Sequence, residues 1–202
     1  MMMKLGVLIS GGGTNLQALI DAIAAGTLDA EIVLVVSSKP DAYGLVRASE
    51  AGIPTMALTP EVYQDREQAD TIIAQELKSA GAEYVAMAGY MRMVGNGLLD
   101  AFPNRVINLH PALLPSFKGA HGVLDAYEAG VKITGVTVHF ANGEYDEGPI
   151  IAQRAVVVEE NDSLRGLEKK IHDVEHELYP EVLQLVATGR VSIDEGGKVR
   201  IQ

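Results

Sequence analysis

The chain has 202 residues, enough for one substantial hydrophobic core, and its 48% hydrophobic and 21% charged residues are ordinary for a globular protein. Acidic residues number 27 against 16 basic ones, a net charge of −11, which disfavours nucleic acid as a partner because an acidic surface repels phosphate backbones. Cysteine is absent, which excludes disulfides, thiolate metal sites and a cysteine nucleophile and fits a reducing, cytoplasmic location.

The chain opens on an apolar run, residues 5–10, that predicts a buried strand. Three glycines, residues 11–13, come next, and apolar residues at helical spacing continue to Gly26. The order of strand, glycine loop and helix is typical of a phosphate site, because a helix N-terminus offers unpaired amides. The loop matches neither common phosphate-binding fingerprint, so a tight turn without a ligand remains the alternative.

Strands and helices alternate through the rest of the chain. Strands are predicted at residues 31–38, 55–58, 84–88, 105–109, 133–140 and 150–158, helices at 42–51, 65–80, 96–102, 122–129 and 163–187, and an exposed terminal hairpin at 191–193 and 199–201. This alternation predicts an α/β fold with a doubly wound, mostly parallel, Rossmann-like sheet and helices on both faces. No run reaches membrane-spanning length, so no membrane association is expected.

The segment Asn108-Leu-His110-Pro stands where a buried strand ends. Side chains two residues apart on a strand share a face, so Asn108 and His110 converge at the strand's carboxyl end, where open α/β sheets bind ligands. An amide can donate to a developing oxyanion, and an imidazole can supply a proton near neutral pH. From these residues alone, a turn with a satisfied polar contact remains the simpler alternative.

Two more loops follow strands. The Met- and Arg-containing loop at residues 89–94 suits a flat, partly apolar ligand, although a hydrophobic connection under the next helix explains it equally well. The polar loop at residues 141–149 carries Asp146. His139, just before it, is interpreted as a packed strand residue rather than a catalyst. The five histidines lack metal-ligand spacing, so no metal site is expected.

In a single sheet these loops surround one cleft, and Asn108, His110 and a carboxylate form a working set for formyl or acyl transfer to an amine. The amine attacks a carbonyl carbon, and Asn108 and protonated His110 stabilise the negative charge that develops on oxygen. A nearby Asp146 favours the charged imidazolium. No serine-centred nucleophile elbow is present, which disfavours a covalent hydrolase.

Three motifs together resemble the folate-dependent formyltransferases. They are Asn108-Leu-His-Pro-Ala-Leu-Leu-Pro-Ser-Phe-Lys-Gly119, Gly135-Val-Thr-Val-His-Phe140 and Asp146-Glu-Gly-Pro-Ile-Ile151. The opening Ile9-Ser-Gly-Gly-Gly-Thr-Asn-Leu-Gln-Ala18 resembles the branch that formylates glycinamide ribonucleotide in de novo purine biosynthesis. The resemblance implies a single formyltransferase domain over residues 1–202, with 10-formyltetrahydrofolate as co-substrate, glycinamide ribonucleotide as substrate, and a monomer or homodimer.

The resemblance also implies roles for the matching residues. The implied catalytic set is Asn108, His110 and Asp146. The implied contacts to the phosphoribosyl end of the substrate come from Gly13, Thr14, Asn15, Glu175 and His172. The implied folate-binding residues are Arg66, Met91, Arg92, Met93, Val94, Asn108, Asn142, Gly143, Glu144, Tyr145 and Asp146. The chain departs from the family pattern at residues 120–125, and Gly143 and Tyr145 are variants within the folate loop.

Other functions compete with this one. A methionyl-tRNA formyltransferase requires a tRNA-binding domain and a basic surface, which a short acidic chain does not provide. A formyltetrahydrofolate hydrolase requires a further regulatory domain. A non-catalytic nucleotide-binding module needs the glycine loop but not Asn108, His110 and Asp146 together. A dehydrogenase is disfavoured because no acidic residue follows the second strand to bind a ribose diol.

Overall fold

The computed structural model describes residues 2–202 and places a mixed sheet at the centre of the molecule. Its strands are β1 (Met3–Ile9), β2 (Ala30–Ser37), β3 (Thr55–Ala57), β4 (Tyr84–Met87), β5 (Val106–His110), β6 (Ile133–Phe140) and β7 (Ile150–Val157). A separate hairpin joins β8 (Val191–Ile193) and β9 (Val199–Ile201). The helices are α1 (Thr14–Ala24), α2 (Tyr43–Glu50), α3 (Pro60–Gln64), α4 (Arg66–Ser79), α5 (Asn96–Leu99), α6 (Gly122–Glu128) and α7 (Leu164–Ala187).

The strand order is β3-β2-β1-β4-β5-β6-β7. The five strands from β3 to β5 pair in parallel, and β6 and β7 each pair antiparallel to their preceding neighbour. The chain runs outward from β1 to β3 and then returns to add β4 and β5 on the other side of β1. The loops after β1 and β4 therefore diverge, which opens a crevice at the carboxyl ends of the strands. The predicted doubly wound, mostly parallel sheet is confirmed.

Two hydrophobic cores cover opposite faces of the sheet, because buried parallel strands present apolar side chains on both sides. One core packs α1 and α7 on the sheet, with Leu16, Leu19 and Ile171 fully buried. The other packs α4 and α5, with Ile73 and Leu98 fully buried. Helix α7 continues through Pro180 as one helix. Among the described residues, no helix is long and apolar enough to cross a membrane.

The segment before α4 differs from the sequence expectation. One helix was expected over residues 65–80, but the short helix α3 precedes it. Each helix has its own N-cap, since the Thr59 hydroxyl accepts from the Val62 amide and the Asp65 carboxylate accepts from the Gln68 amide at 3.0 Å. The terminal hairpin also differs in part, because one side of it packs on the first core rather than standing exposed.

Candidate functional site

His110 lies at the end of β5 and is almost completely buried. Its Nε2 lies 2.8 Å from the carbonyl oxygen of Phe117, which can only accept, so this nitrogen donates. Its Nδ1 lies 3.5 Å from Oδ2 of Asp146, whose side chain is 7% exposed. Both ring nitrogens therefore face acceptors, an arrangement that suits an imidazolium because only the charged ring donates from both nitrogens.

The backbone on either side of the site fixes the position of Asp146. Its φ is +53°, in the left-handed region that Asp and Asn tolerate better than most residues. Oδ2 of Asp146 accepts a hydrogen bond of 2.9 Å from the Gly119 amide, and Lys118 pairs with Glu147 at 2.6 Å. The segments 111–119 and 141–149 are thus joined directly, and the carboxylate is held against His110.

His139 contacts the predicted catalytic residue Asn108, although the sequence analysis interpreted it as a packed strand residue. It is buried, and its Nδ1 donates to the carbonyl of Phe140 at 2.9 Å, so the neutral ring accepts at Nε2 from the Asn108 amide at 3.1 Å. Burial lowers the pKa of His139, which favours this neutral form. The second N–H of the Asn108 amide then remains available for a ligand. A prediction of the strand pairing would have revealed this contact, because Asn108 and His139 are directly opposite in the β5–β6 ladder.

The loop after His110 is fastened to the two antiparallel strands. The buried Thr137 hydroxyl donates to the carbonyl of Ala112 at 2.7 Å and accepts from the Leu114 amide at 3.1 Å. Gln153 on β7 donates to the carbonyl of Leu114 at 2.9 Å. These bonds fix the path of the loop. They therefore also fix the position of the Phe117 carbonyl, which orients His110.

Tyr179 connects helix α7 to the strands that carry the site. Its hydroxyl, on α7, donates to the carbonyls of Ile107 at 2.9 Å and Met87 at 3.2 Å. The side chain is fully buried, and burial raises the pKa of the phenol well above its ordinary value. Helix α7 is therefore bonded to the end of β4 at Met87 and to β5 at Ile107, the residue just before Asn108. Sequence reasoning missed this residue because an aromatic side chain on a helix ordinarily packs in the core.

The buried Glu175 bonds two other predicted substrate residues, Asn15, which is also buried, and His172, whose side chain is 54% exposed. Its carboxylate, 4% exposed as a residue, accepts from the Asn15 amide at 3.0 Å and from His172 at 2.9 Å. The hydrogen bond from His172 to Glu175 raises the pKa of His172. The Oδ1 atom of Asn15 is buried and has no hydrogen-bond partner among residues 2–202. An unpaired buried acceptor of this kind indicates a place for a donor from a ligand.

One cavity of about 400 Å³ brings together the three predicted catalytic residues and five of the other predicted residues. Those that line it are Asn15, Met91, Asn108, His110, Tyr145, Asp146, His172 and Glu175, together with residues 119–124, where the chain departs from the family pattern. Thr14 instead lines a separate groove of about 660 Å³ between α1 and α7. Gly13 lies behind the cavity, against α2.

The residues expected to bind folate lie around two smaller cavities. The first, of about 60 Å³, lies beside the main one and is lined by Arg92, Met93, Val94, Asn108, Asn142, Glu144, Tyr145 and Asp146. The second, of about 320 Å³, is lined by Arg66 and Gly143 together with Met93 and Val94. Asn108 and Asp146 line both the main cavity and the first small one, so these two predicted catalytic residues lie where the cavities meet.

The loop 91–95 is held at both ends. The Met91 amide donates to the buried Ser10 hydroxyl at 2.9 Å, and the Gly95 amide donates to the Asp70 carboxylate at 2.6 Å. Asp70 is 1% exposed, and burial raises the pKa of its carboxyl. Arg66 contacts the Met93 sulfur at 3.6 Å. Within residues 2–202, no group of three or more His, Asp or Glu side chains could hold a metal ion.

Comparison with known proteins places the chain in a family. A model of the formyl transferase family matches residues 3–183. Phosphoribosylglycinamide formyltransferase of Bacillus subtilis is 40% identical over 183 residues, which are 91% of this chain and 94% of that protein. The trifunctional purine biosynthetic protein adenosine-3 of Gallus gallus is 43% identical over 97% of this chain, which spans only 20% of that protein's length.

Comparison with solved structures supports the same family. The crystal structure of glycinamide ribonucleotide transformylase 1 from Symbiobacterium toebii superposes with a TM-score of 0.95 at 46% identity, covering 99% of this chain and 94% of that one. The likeness thus extends over almost the whole of both chains, in sequence and in fold. The chain therefore belongs to the formyl transferase family and, within it, to the phosphoribosylglycinamide formyltransferases.

Proposed function

We propose that the chain transfers the formyl group of 10-formyltetrahydrofolate to the amine of glycinamide ribonucleotide, a step of de novo purine biosynthesis, in the cytoplasm. The convergence of Asn108, His110 and Asp146 where two cavities meet is the observation that carries this proposal. The main cavity gives room for a substrate beside these residues, the small cavity opens on their other side, and the amide and imidazole would face a carbonyl oxygen that gains negative charge. No metal takes part in the proposed reaction.

The proposed reaction is a direct attack of the amine nitrogen on the formyl carbon. A bond between this nitrogen and the carbon forms, and the carbonyl oxygen becomes an oxyanion, which the second N–H of Asn108 stabilises by a hydrogen bond and the imidazolium of His110 stabilises by its charge. The bond between the carbon and N10 of the folate then breaks, and the proton lost by the amine is returned to N10. Asp146 keeps His110 in place and stabilises its positive charge.

The polar groups around the cavities support an assignment of the substrates. The ribonucleotide would lie in the main cavity, with its phosphate at the N-terminus of α1 and its sugar near Asn15, His172 and Glu175. The pterin would bind on the side of the small cavity beside Asn108, next to the loops at residues 91–94 and 142–146. Arg66 lies further out on the same side and would face the rest of the folate.

The test is a formyl-transfer assay with purified protein, 10-formyltetrahydrofolate and glycinamide ribonucleotide. We expect release of tetrahydrofolate to require the ribonucleotide and to match the formation of formylated product one for one. Release of tetrahydrofolate without ribonucleotide would instead indicate a hydrolase. No turnover, with ribonucleotide still bound in calorimetry, would indicate a non-catalytic nucleotide-binding module. Sedimentation of the same protein distinguishes a monomer from a homodimer.

A further inference from the structure

The carbonyl groups of the glycine loop are turned toward α2. The carbonyl of Gly11 accepts from the Gly44 amide at 3.0 Å, and the carbonyl of Gly12 accepts from Nε of Arg47 at 2.8 Å. Both donors belong to α2, which packs beside the loop. Two successive peptide units are thus fixed from the same side, one by a backbone amide and one by a guanidinium group.

This orientation determines where the loop amides point. In a trans peptide unit the C=O and the following N–H point in opposite directions. The amides of Gly12 and Gly13 must therefore point away from α2, and neither has a hydrogen-bond partner within residues 2–202. They add to the unpaired amides in the first turn of α1, whose N-cap Gly13 provides no side-chain cap. Together these amides form a row of donors suited to a phosphate.

The contact between the loop and α2 leaves no room for adjustment. Gly13 has a φ of +69°, and a Cβ atom added to it would lie 2.5 Å from Cα of Gly44. Arg47 is itself held in place, since its Nη1 donates to the side chain of Gln17 on α1 at 3.1 Å and its guanidinium lies 5.0 Å from the ring centroid of Tyr43. One side chain therefore connects α2, the loop and α1 in a fixed geometry.

We propose that Arg47 is a positioning residue for phosphate recognition, acting by holding the Gly12 carbonyl so that the loop amides face the ligand. This inference rests on the proposed function, because it concerns the phosphate of the ribonucleotide substrate. In a chain of net charge −11, an oriented row of amides allows a dianion to bind without a large basic patch. In this proposal the Nε–H donor of Arg47 supports phosphate binding by holding the Gly12 carbonyl, and the positive charge of Arg47 contributes little.

Two neutral substitutions separate these roles. The Nε2 atom of a glutamine occupies the position of the arginine Nε, so Arg47→Gln keeps the donor to the Gly12 carbonyl and removes the charge. In Arg47→Met a methyl group takes the same position, so both donor and charge are lost. We expect Arg47→Met to raise KM for glycinamide ribonucleotide by about tenfold or more, and Arg47→Gln to stay within about threefold of wild type.

A substrate without phosphate completes the experiment. With glycinamide riboside, wild type and Arg47→Met should have the same KM, and KM for 10-formyltetrahydrofolate should not change in either variant. Equal KM increases for Arg47→Met and Arg47→Gln would show that the charge matters, and an equal increase with the riboside would show a general structural defect. Either result overturns the proposal.

The comparison is repeated by calorimetric binding of the ribonucleotide, which does not depend on turnover. A wild type that binds the ribonucleotide but transfers no formyl group would contradict the proposed function and would still test Arg47. Thermal unfolding of both variants checks that they fold. If Arg47→Met proves unstable, Gly44→Ala presses on the loop from the backbone of α2, since its added Cβ would lie 3.2 Å from Cα of Gly13 and 3.4 Å from the carbonyl oxygen of Gly11. It should give the same selective rise in KM for the ribonucleotide, and a KM equal to that of wild type would contradict the proposal.

Discussion

Replacing Asp146 with Asn tests the catalytic assignment with little change in structure. Asp146 has a φ of +53°, which Asn adopts readily, whereas Ala would add backbone strain. The amide oxygen of Asn can still accept from the Gly119 amide, which now bonds Oδ2 at 2.9 Å. The substitution therefore removes mainly the negative charge that faces His110.

The separation of the two groups sets the size of the effect. Oδ2 of Asp146 lies 3.5 Å from Nδ1 of His110, with both side chains buried. Two unit charges at this distance attract by about 5 kcal/mol at an effective dielectric constant of about 20. If about half of this attraction stabilises the transition state but not the bound substrates, its loss raises the barrier by about 2.5 kcal/mol and kcat falls by about sixtyfold, since each ~1.4 kcal/mol is a factor of ten.

The assay follows the release of tetrahydrofolate at saturating concentrations of both substrates. Glu147→Gln is the matched control, because this neighbouring carboxylate pairs with Lys118 at the surface and is 52% exposed. We expect kcat of the control to stay within about twofold of wild type, as exposed ion pairs contribute little. A kcat for Asp146→Asn within threefold of the control would refute the role assigned to this carboxylate.

Three further outcomes are expected from the same assay. KM for the ribonucleotide should rise as the pH increases through the raised pKa of His172, because the neutral ring no longer attracts an anion, and His172→Gln should abolish this pH dependence. Asp70→Ala should raise KM for the folate by about tenfold without affecting that for the ribonucleotide, since the Gly95 amide loses a charged acceptor, whereas Asp70→Asn should retain most of the affinity. His139→Ala should lower kcat by about tenfold or more at unchanged KM, because the Asn108 amide loses the partner that orients it, and an unchanged kcat would contradict that role.

Local sequence patterns determined most of the architecture. Apolar runs followed by glycines or prolines predicted the strands, and the alternation of strands with amphipathic helices required a parallel, doubly wound sheet. The ends of strands then located the Asn108 and His110 pair, because the period of two along a strand is a local property. The additional helix α3 was missed, since a five-residue helix is too short to show periodicity.

The environment of the candidate catalytic residues depends on contacts between distant parts of the chain. The hydrogen bond between Asn15 and Glu175 joins residues 160 positions apart, and that between Asn108 and His139 joins residues 31 apart. Glu175 was identified only by resemblance, because a glutamate on a helix ordinarily faces solvent.

The sequence by itself therefore determined most of the elements, their order and the family, all of which follow from local periodicity and contiguous motifs. Only the tertiary structure decided that the amide of Asn108 bonds His139, that the Tyr179 hydroxyl ties α7 to the strands, and that Arg47 bonds the carbonyl of Gly12. The physical reason is that hydrogen bonds and burial depend on distances in space, which the packing of helices against the sheet sets and no local pattern encodes.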